Sequence, residues 1–86
     1  MTTVLIFHEV DDVDHWVASP KRMEFFGPLG MTAQTFVDPN KTNKVGLIVE
    51  VPSMEALQSA LATEAAAEAM KHDGVRPETI VMLVAS

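Results

Sequence analysis

The sequence predicts an α+β domain of order β-α-β-β-α-β, with four strands in one antiparallel sheet and the helices on one face of it. Three observations carry that expectation. The runs 4–7, 45–49 and 80–84 are apolar without alternation, so the strands they form are dry on both faces. The segment Asp38-Pro39-Asn40-Lys41-Thr42-Asn43 is a polar turn of hairpin length, which makes the strands on either side antiparallel neighbours. Between the other strands lie two stretches with apolar residues at helical spacing. Residues 1–86 make one domain, near the lower end of what folds without a metal, a disulfide or a partner.

The first strand is expected over about residues 3–9, running into the acids Glu9, Asp11, Asp12 and Asp14. Asp11 or Asp12 is placed to cap the helix that follows, and carboxylates suit the positive end of a helix. Val13, Trp16 and Val17 make an i, i+3, i+4 stripe. At Ser19-Pro20 the helix kinks or restarts, with Ser19 as a second cap and Pro20 as its first residue. Met23 and Phe26 continue the buried face, and Gly27-Pro28 ends it. The second strand, 31–37, mixes Thr32, Gln34 and Thr35 with apolar residues, as a half-exposed edge strand does. The third strand covers 44–51. Ser53 then caps a helix carrying Met54, Leu57 and Leu61 on one face, and Thr63 caps an alanine-rich continuation to His72. Gly74 is placed as its left-handed stop. The fourth strand spans about 79–84.

This element order is the split βαβ arrangement called ferredoxin-like. Right-handed crossovers put both helical segments on one face of a sheet with strand order four-one-three-two. The helix-free face would then show about six to eight large apolar side chains, each forfeiting roughly 1.5–3 kcal/mol if left in water. The sum, on the order of 10–20 kcal/mol, rivals the stability of a small domain. A symmetric homodimer packing sheet on sheet would recover it.

Composition narrows the function classes. There is no cysteine, which removes disulfides, thiolate metal sites and cysteine nucleophiles. The net charge is −6 and the basic residues form no stripe, so no nucleic-acid partner is expected. The first apolar run is too short for a signal peptide and lacks a basic flank, and no stretch is long enough to span a bilayer. The expectation is a soluble, cytoplasmic protein with no membrane partner. A mean hydropathy of +0.17 fits a buried subunit interface.

The segment His8-Glu9-Val10-Asp11-Asp12-Val13-Asp14-His15-Trp16 is similar to a His-x-Val-x-Asp-x-x-x-Trp pattern of small cyclase-like branches of the dimeric α/β-barrel superfamily. The lead into the last strand, Gly74-Val75-Arg76-Pro77, also resembles them. The resemblance implies two ferredoxin-like subunits with their sheets face to face around a shared α/β barrel, and a ligand pocket between sheet and helices. Relatives include polyketide cyclases, cofactor-free quinol-forming monooxygenases, haem-degrading monooxygenases and proteins with no known reaction. The chain departs from two of these groups. Plant-type cyclases pair a His with a Tyr, and there is no Tyr here. Haem-degrading relatives use an Asn near the pocket, and the two asparagines, Asn40 and Asn43, fall in the hairpin turn. No cofactor is expected.

His8 is the leading catalytic candidate: it lies on the same side of its strand as Val4 and Ile6, and a neutral imidazole in a dry pocket can act as a general base. Asp12 could orient it if the loop folds back. The competing role is a buried histidine hydrogen-bonded to backbone. Trp16 could floor a pocket for a planar ligand or simply fill core. Phe25, Phe26 and Phe36 could line the same space, and Gly46 either leaves room for a ligand or accommodates Trp16 or a bulge. The acids of residues 9–14 with His8 and His15 match no calcium loop, and no metal site is expected. These readings converge on a small-molecule-binding homodimer acting without a cofactor on a small apolar, aromatic or polyketide-like ligand in a cyclase-like reaction. Two alternatives remain open, a non-catalytic binding or structural dimer and a cofactor-free monooxygenase.

Overall fold

In the computed structural model, which describes residues 1–86, the first strand, β1 (Thr2–Val10), runs through the middle of a four-stranded antiparallel sheet. It pairs on one side with β3 (Lys44–Val51) and on the other with β4 (Val75–Val84). The strand β2 (Thr32–Val37) lies outside β3, giving the order β2-β3-β1-β4. That is the expected order read from the opposite edge, and the architecture is the ferredoxin-like α+β fold. No helix is long and apolar enough to cross a membrane.

Each expected helical segment is broken in two. Between β1 and β2 run α1 (Val13–Ala18) and α2 (Lys21–Phe26), and between β3 and β4 run α3 (Met54–Leu61) and α4 (Glu64–Asp73). Asp12 caps α1, its carboxylate accepting from the His15 N–H at 3.2 Å. Pro20 pushes the residue before it towards extended backbone, and Ser19, at φ −68° and ψ 133°, ends α1. The second helix starts one residue later than expected, with Pro20 in the cap position. Ser19 still caps in the chemical sense, because its hydroxyl accepts from the Lys21 N–H at 3.2 Å. Gly27 ends α2 as its C-cap, where Gly27-Pro28 was expected to end it. The backbone tightens into a 3-10 turn over Gly27–Leu29, and Gly30 supplies the left-handed stop. Ser53 and Thr63 cap α3 and α4 as their positions predicted, accepting from the N–H groups of Ala56 and Ala66.

Alternation along the strands sorts the apolar residues into two layers. Val4, Ile6, His8 and Val10 of β1 and Val45, Leu47, Val49 and Val51 of β3 are buried beneath the helices. Trp16, Phe26 and Leu57 meet them from above. Leu5, Phe7, Ile48, Phe36, Val81 and Leu83 occupy the other, helix-free face, as the strand register requires. Val17 and Met23 were expected in the core and are exposed, Met23 by 69%. A helix of six residues makes fewer than two turns, and the break at Ser19-Pro20 resets its phase. Only Trp16 in α1 and Phe26 in α2 are buried.

The fourth strand begins earlier than expected, because Val75 and Arg76 already pair with Val10 and Glu9. Phe7 pairs with Val81, so residues 77–80 bulge out opposite His8, the one residue between Phe7 and Glu9. Thr79 fastens the bulge: its hydroxyl accepts from the Glu9 N–H at 2.8 Å and donates to the Arg76 carbonyl at 2.6 Å. Pro77 fits there because a bulge asks nothing of its missing N–H.

Gly74 closes α4 at φ +71°, where an L side chain costs about 1–2 kcal/mol. Gly74→Ala is therefore expected to lower unfolding stability by about that amount. Ser59→Ala, on an exposed turn of α3, should change it by no more than about 0.5 kcal/mol. Urea unfolding followed by circular dichroism measures both.

Candidate functional site

The broken helices do not fill the space above the sheet. A cavity of about 280 Å³ remains between them and the buried face of the strands. An apolar cavity of about 150 Å³ holds one benzene, so this one has room for roughly two fused rings. Its sheet-side wall includes Ile6, His8, Leu47 and Met82, while Trp16, Phe25, Phe26 and Leu61 come from the helices. Lys21, Arg22 and Asp73 supply charged groups to a wall that is otherwise almost wholly apolar.

His8 reaches this wall because it is an even-numbered residue of β1, in phase with Val4 and Ile6, and it is only 7% exposed. Its ring meets Trp16 edge to face, with centroids 5.6 Å apart. Nδ1 lies 3.4 Å from the Glu9 carbonyl oxygen. A carbonyl can only accept, so this contact puts the proton on Nδ1 and leaves Nε2 as the basic nitrogen. Burial holds the imidazole below its ordinary pKa of 6.5. The Glu9 carbonyl opposes that shift, the Arg22 charge adds to it and Asp73 again opposes it. The ring is therefore neutral at pH 7.

A compact ionic cluster stands beside His8. Asp73 ends α4 with its side chain only 4% exposed. The Ser19 hydroxyl donates to its Oδ1 at 2.5 Å, and the His72 Nδ1–H donates to the same oxygen at 2.9 Å. Arg22 Nη1 lies 3.5 Å from Oδ2. The guanidinium stacks on Trp16, its Cζ 4.1 Å from the ring centroid. Burial lowers the Arg22 pKa from its ordinary value, and the Asp73 charge works against that shift.

The expected site residues divide between the two faces of the sheet. His8, Trp16 and Phe26 line the cavity together with Phe25. Asp12 does not line it; its carboxylate is used as the α1 cap, and the group holding His8 is the Glu9 carbonyl. Phe36 and Gly46 are cross-strand partners on the helix-free face. Phe36 is 44% exposed there. A Cβ on Gly46 would lie 3.3 Å from the Ile6 carbonyl oxygen and 3.5 Å from Phe7 Cδ1. The missing side chain thus makes way for the Phe7 ring and leaves no room for a ligand. Arg22 and Asp73 were not singled out from the sequence. One signal was available: an acid in the last turn of a helix opposes the helix dipole, so Asp73 needs another partner.

His15, His72 and Asp73 are the one group of three whose ligand atoms lie close enough together to hold a metal, within 4.8 Å of one another. Their facing atoms already satisfy each other, the His15 Nε2–H donating to the His72 carbonyl at 2.9 Å and His72 Nδ1–H to Asp73.

No protein-family model and no curated protein sequence matches the chain. Solved structures do. An antibiotic biosynthesis monooxygenase superimposes with a TM-score of 0.67 at 17% identity, over 100% of this chain and 97% of the other. A candidate antibiotic biosynthesis monooxygenase from Deinococcus radiodurans gives 0.62 at 12% identity, over 100% and 91%. A conserved protein of unknown function from Bacteroides thetaiotaomicron gives 0.57 at 15%, over 98% and 92%. At such identities the likeness is one of fold, and it extends over nearly the whole of each chain.

The His8 shift has a sign that can be checked. Its folded pKa is below the unfolded value of 6.5, so between the two the unfolded chain binds more protons. Stability is expected to fall as pH drops from about 6.5 to the folded pKa and to gain nothing from this group at lower pH. His8→Gln should remove that part of the pH dependence in urea unfolding. The His8 imidazole resonances should titrate with a midpoint below 6.5.

Proposed function

We propose that the protein is a small-molecule-binding homodimer whose cavity takes a compact apolar, aromatic or polyketide-like ligand and removes a proton from it without a cofactor. His8 is the general base and Trp16 the platform. The observation that carries this reading is a buried imidazole, with Nδ1 against the Glu9 carbonyl, in the wall of an apolar cavity with room for about two rings. An imidazole that burial holds below its ordinary pKa is unprotonated at neutral pH and free to take a proton. In a cyclase-like reaction Nε2 takes a proton from a carbon next to a carbonyl, and the electron pair delocalises as an enolate. That carbon then attacks a second carbonyl of the same ligand, and His8 returns the proton to the new alkoxide. The mostly apolar walls offer water few partners beside the reactive intermediate.

Cofactor-free monooxygenation is the second reading, favoured by the names of two structural neighbours. It begins with the same deprotonation and differs in consuming dioxygen. A cytoplasmic setting fits the cysteine-free composition.

The homodimer reading rests on the helix-free face. Six large apolar side chains from all four strands meet there: Leu5, Phe7, Phe36, Ile48, Val81 and Leu83. The charged residues of that face stand towards its ends, where Arg76 pairs with Glu9 and Glu50 accepts from Thr3. Two copies of a chain of charge −6 can therefore join their uncharged centres without opposing like charges there. Closed twofold pairing is the commonest way to bury such a face.

Three measurements test these readings. Planar aromatic probes should quench Trp16 emission saturably. With 2-tetralone in D₂O, the wild-type protein should accelerate exchange of the acidic C–H, and His8→Ala should reduce that acceleration about 100-fold or more. Binding without acceleration would leave a non-catalytic binding protein. Light scattering should report twice the chain mass, and Leu83→Glu should shift it to the monomer. A wild-type monomer that unfolds cooperatively at micromolar concentration would refute the dimer.

A further inference from the structure

The cationic group in the cavity wall is short of acceptors. The Arg22 side chain is 13% exposed, yet its one hydrogen bond is from Nη2 to the Val17 carbonyl, at 3.4 Å. Nη1 is shielded from solvent and has no hydrogen-bond partner. The nearest carboxylate oxygen, Asp73 Oδ2, is 3.5 Å away without making that bond. The other oxygen of Asp73 is engaged by Ser19 and His72. A buried donor left unmatched is costly, and more so when it is charged. Arg22 and His8 both contact Trp16 and both line the cavity, so a ligand held there has the two groups in one wall.

We propose that Arg22 anchors an oxyanion of the ligand, an enolate, phenolate or carboxylate oxygen on a compact ring system, and that Asp73 limits the strength of that anchor by competing for the same guanidinium. The inference rests on the reading of the cavity as a ligand site and adds the chemical class the ligand must belong to. The balance of the proton transfer agrees with it. As His8 takes a proton, a C–H or O–H bond of the ligand breaks and an N–H bond forms on Nε2. The electron pair stays on the ligand, with its charge on the oxygen that Arg22 holds. A neutral hydrocarbon of the same shape has nothing to offer this group. The flexible arginine stem permits the small reorientation that brings an unpaired N–H to the ligand.

The test compares 4-nitrophenol with nitrobenzene, using Trp16 quenching for affinity and the absorbance band of the phenolate for its ionisation. Wild-type protein is expected to bind nitrophenolate about 10- to 100-fold more tightly than nitrobenzene, the advantage of a charge-assisted hydrogen bond. The bound phenol should ionise at a lower pH than the free one. Arg22→Met should lose that preference, Arg22→Lys should recover part of it, and Asp73→Asn should increase it. Equal binding of the two probes by the wild type, or a preference that survives Arg22→Met, overturns the proposal while leaving the ligand site in place. Failure of both probes to bind defeats the ligand-site reading and this inference with it. Should Arg22→Met fail to fold, the wild-type comparison and Asp73→Asn still decide the matter.

Discussion

The alternation of one strand governs the rest of the molecule. Because β1 is central and apolar on both sides, its even residues build a core under the helices while its odd residues build a second apolar face outside it. A one-residue slip would exchange the two sets, sending His8 outward and Phe7 into the cavity. The register with β3, which sets Phe7 opposite Gly46 and His8 opposite Val45, resists that slip. The Phe7 ring lies against the space left by Gly46, and a shifted register would lose that fit. The bulge of residues 77–80 adds to it by leaving His8 without a β4 partner, and bulges recur beside functional sites because they re-aim side chains.

The cavity is a consequence of helix length. Two turns or fewer in α1 and α2 bring one large side chain each to the core, so Trp16 and Phe26 stand apart where a continuous helix would have packed a full stripe. The polar cluster then sits at the junction of α1, α2 and α4. Buried ion pairs are weak evidence for stability because desolvation consumes most of their attraction. Asp73 further opposes the dipole of its own helix. Ser19, His72 and Arg22 together offset those costs, which makes the cluster a local requirement of having a carboxylate there at all. The same arrangement leaves Arg22 incompletely bonded beside an imidazole held neutral by its burial and by the Arg22 charge. Base and cation therefore share one wall without neutralising each other.

Much of the fold was legible because it follows from pattern and caps. The unbroken apolar runs, the hairpin turn and the Asp12, Ser53, Thr63 and Gly74 boundaries each rest on local chemistry that the tertiary structure leaves intact. Val17 and Met23 were misplaced because helical phase does not survive a Ser-Pro break. Of the candidate site, His8, Trp16 and Phe26 could be located from strand parity and helix spacing. Phe36 and Gly46 could not, because which face of an apolar strand meets the helices depends on register between strands. Arg22 and Asp73 lie far apart in sequence, and only folding brings them to one wall.

The proposed function requires that the apolar space between the helices and the sheet admit a ligand beside His8. Diffraction from crystals grown with 2-naphthol tests it most directly. The account predicts the fused rings against Trp16 with the hydroxyl within hydrogen-bonding distance of His8 Nε2. A chamber filled by its own side chains, or naphthol bound only elsewhere, would contradict it.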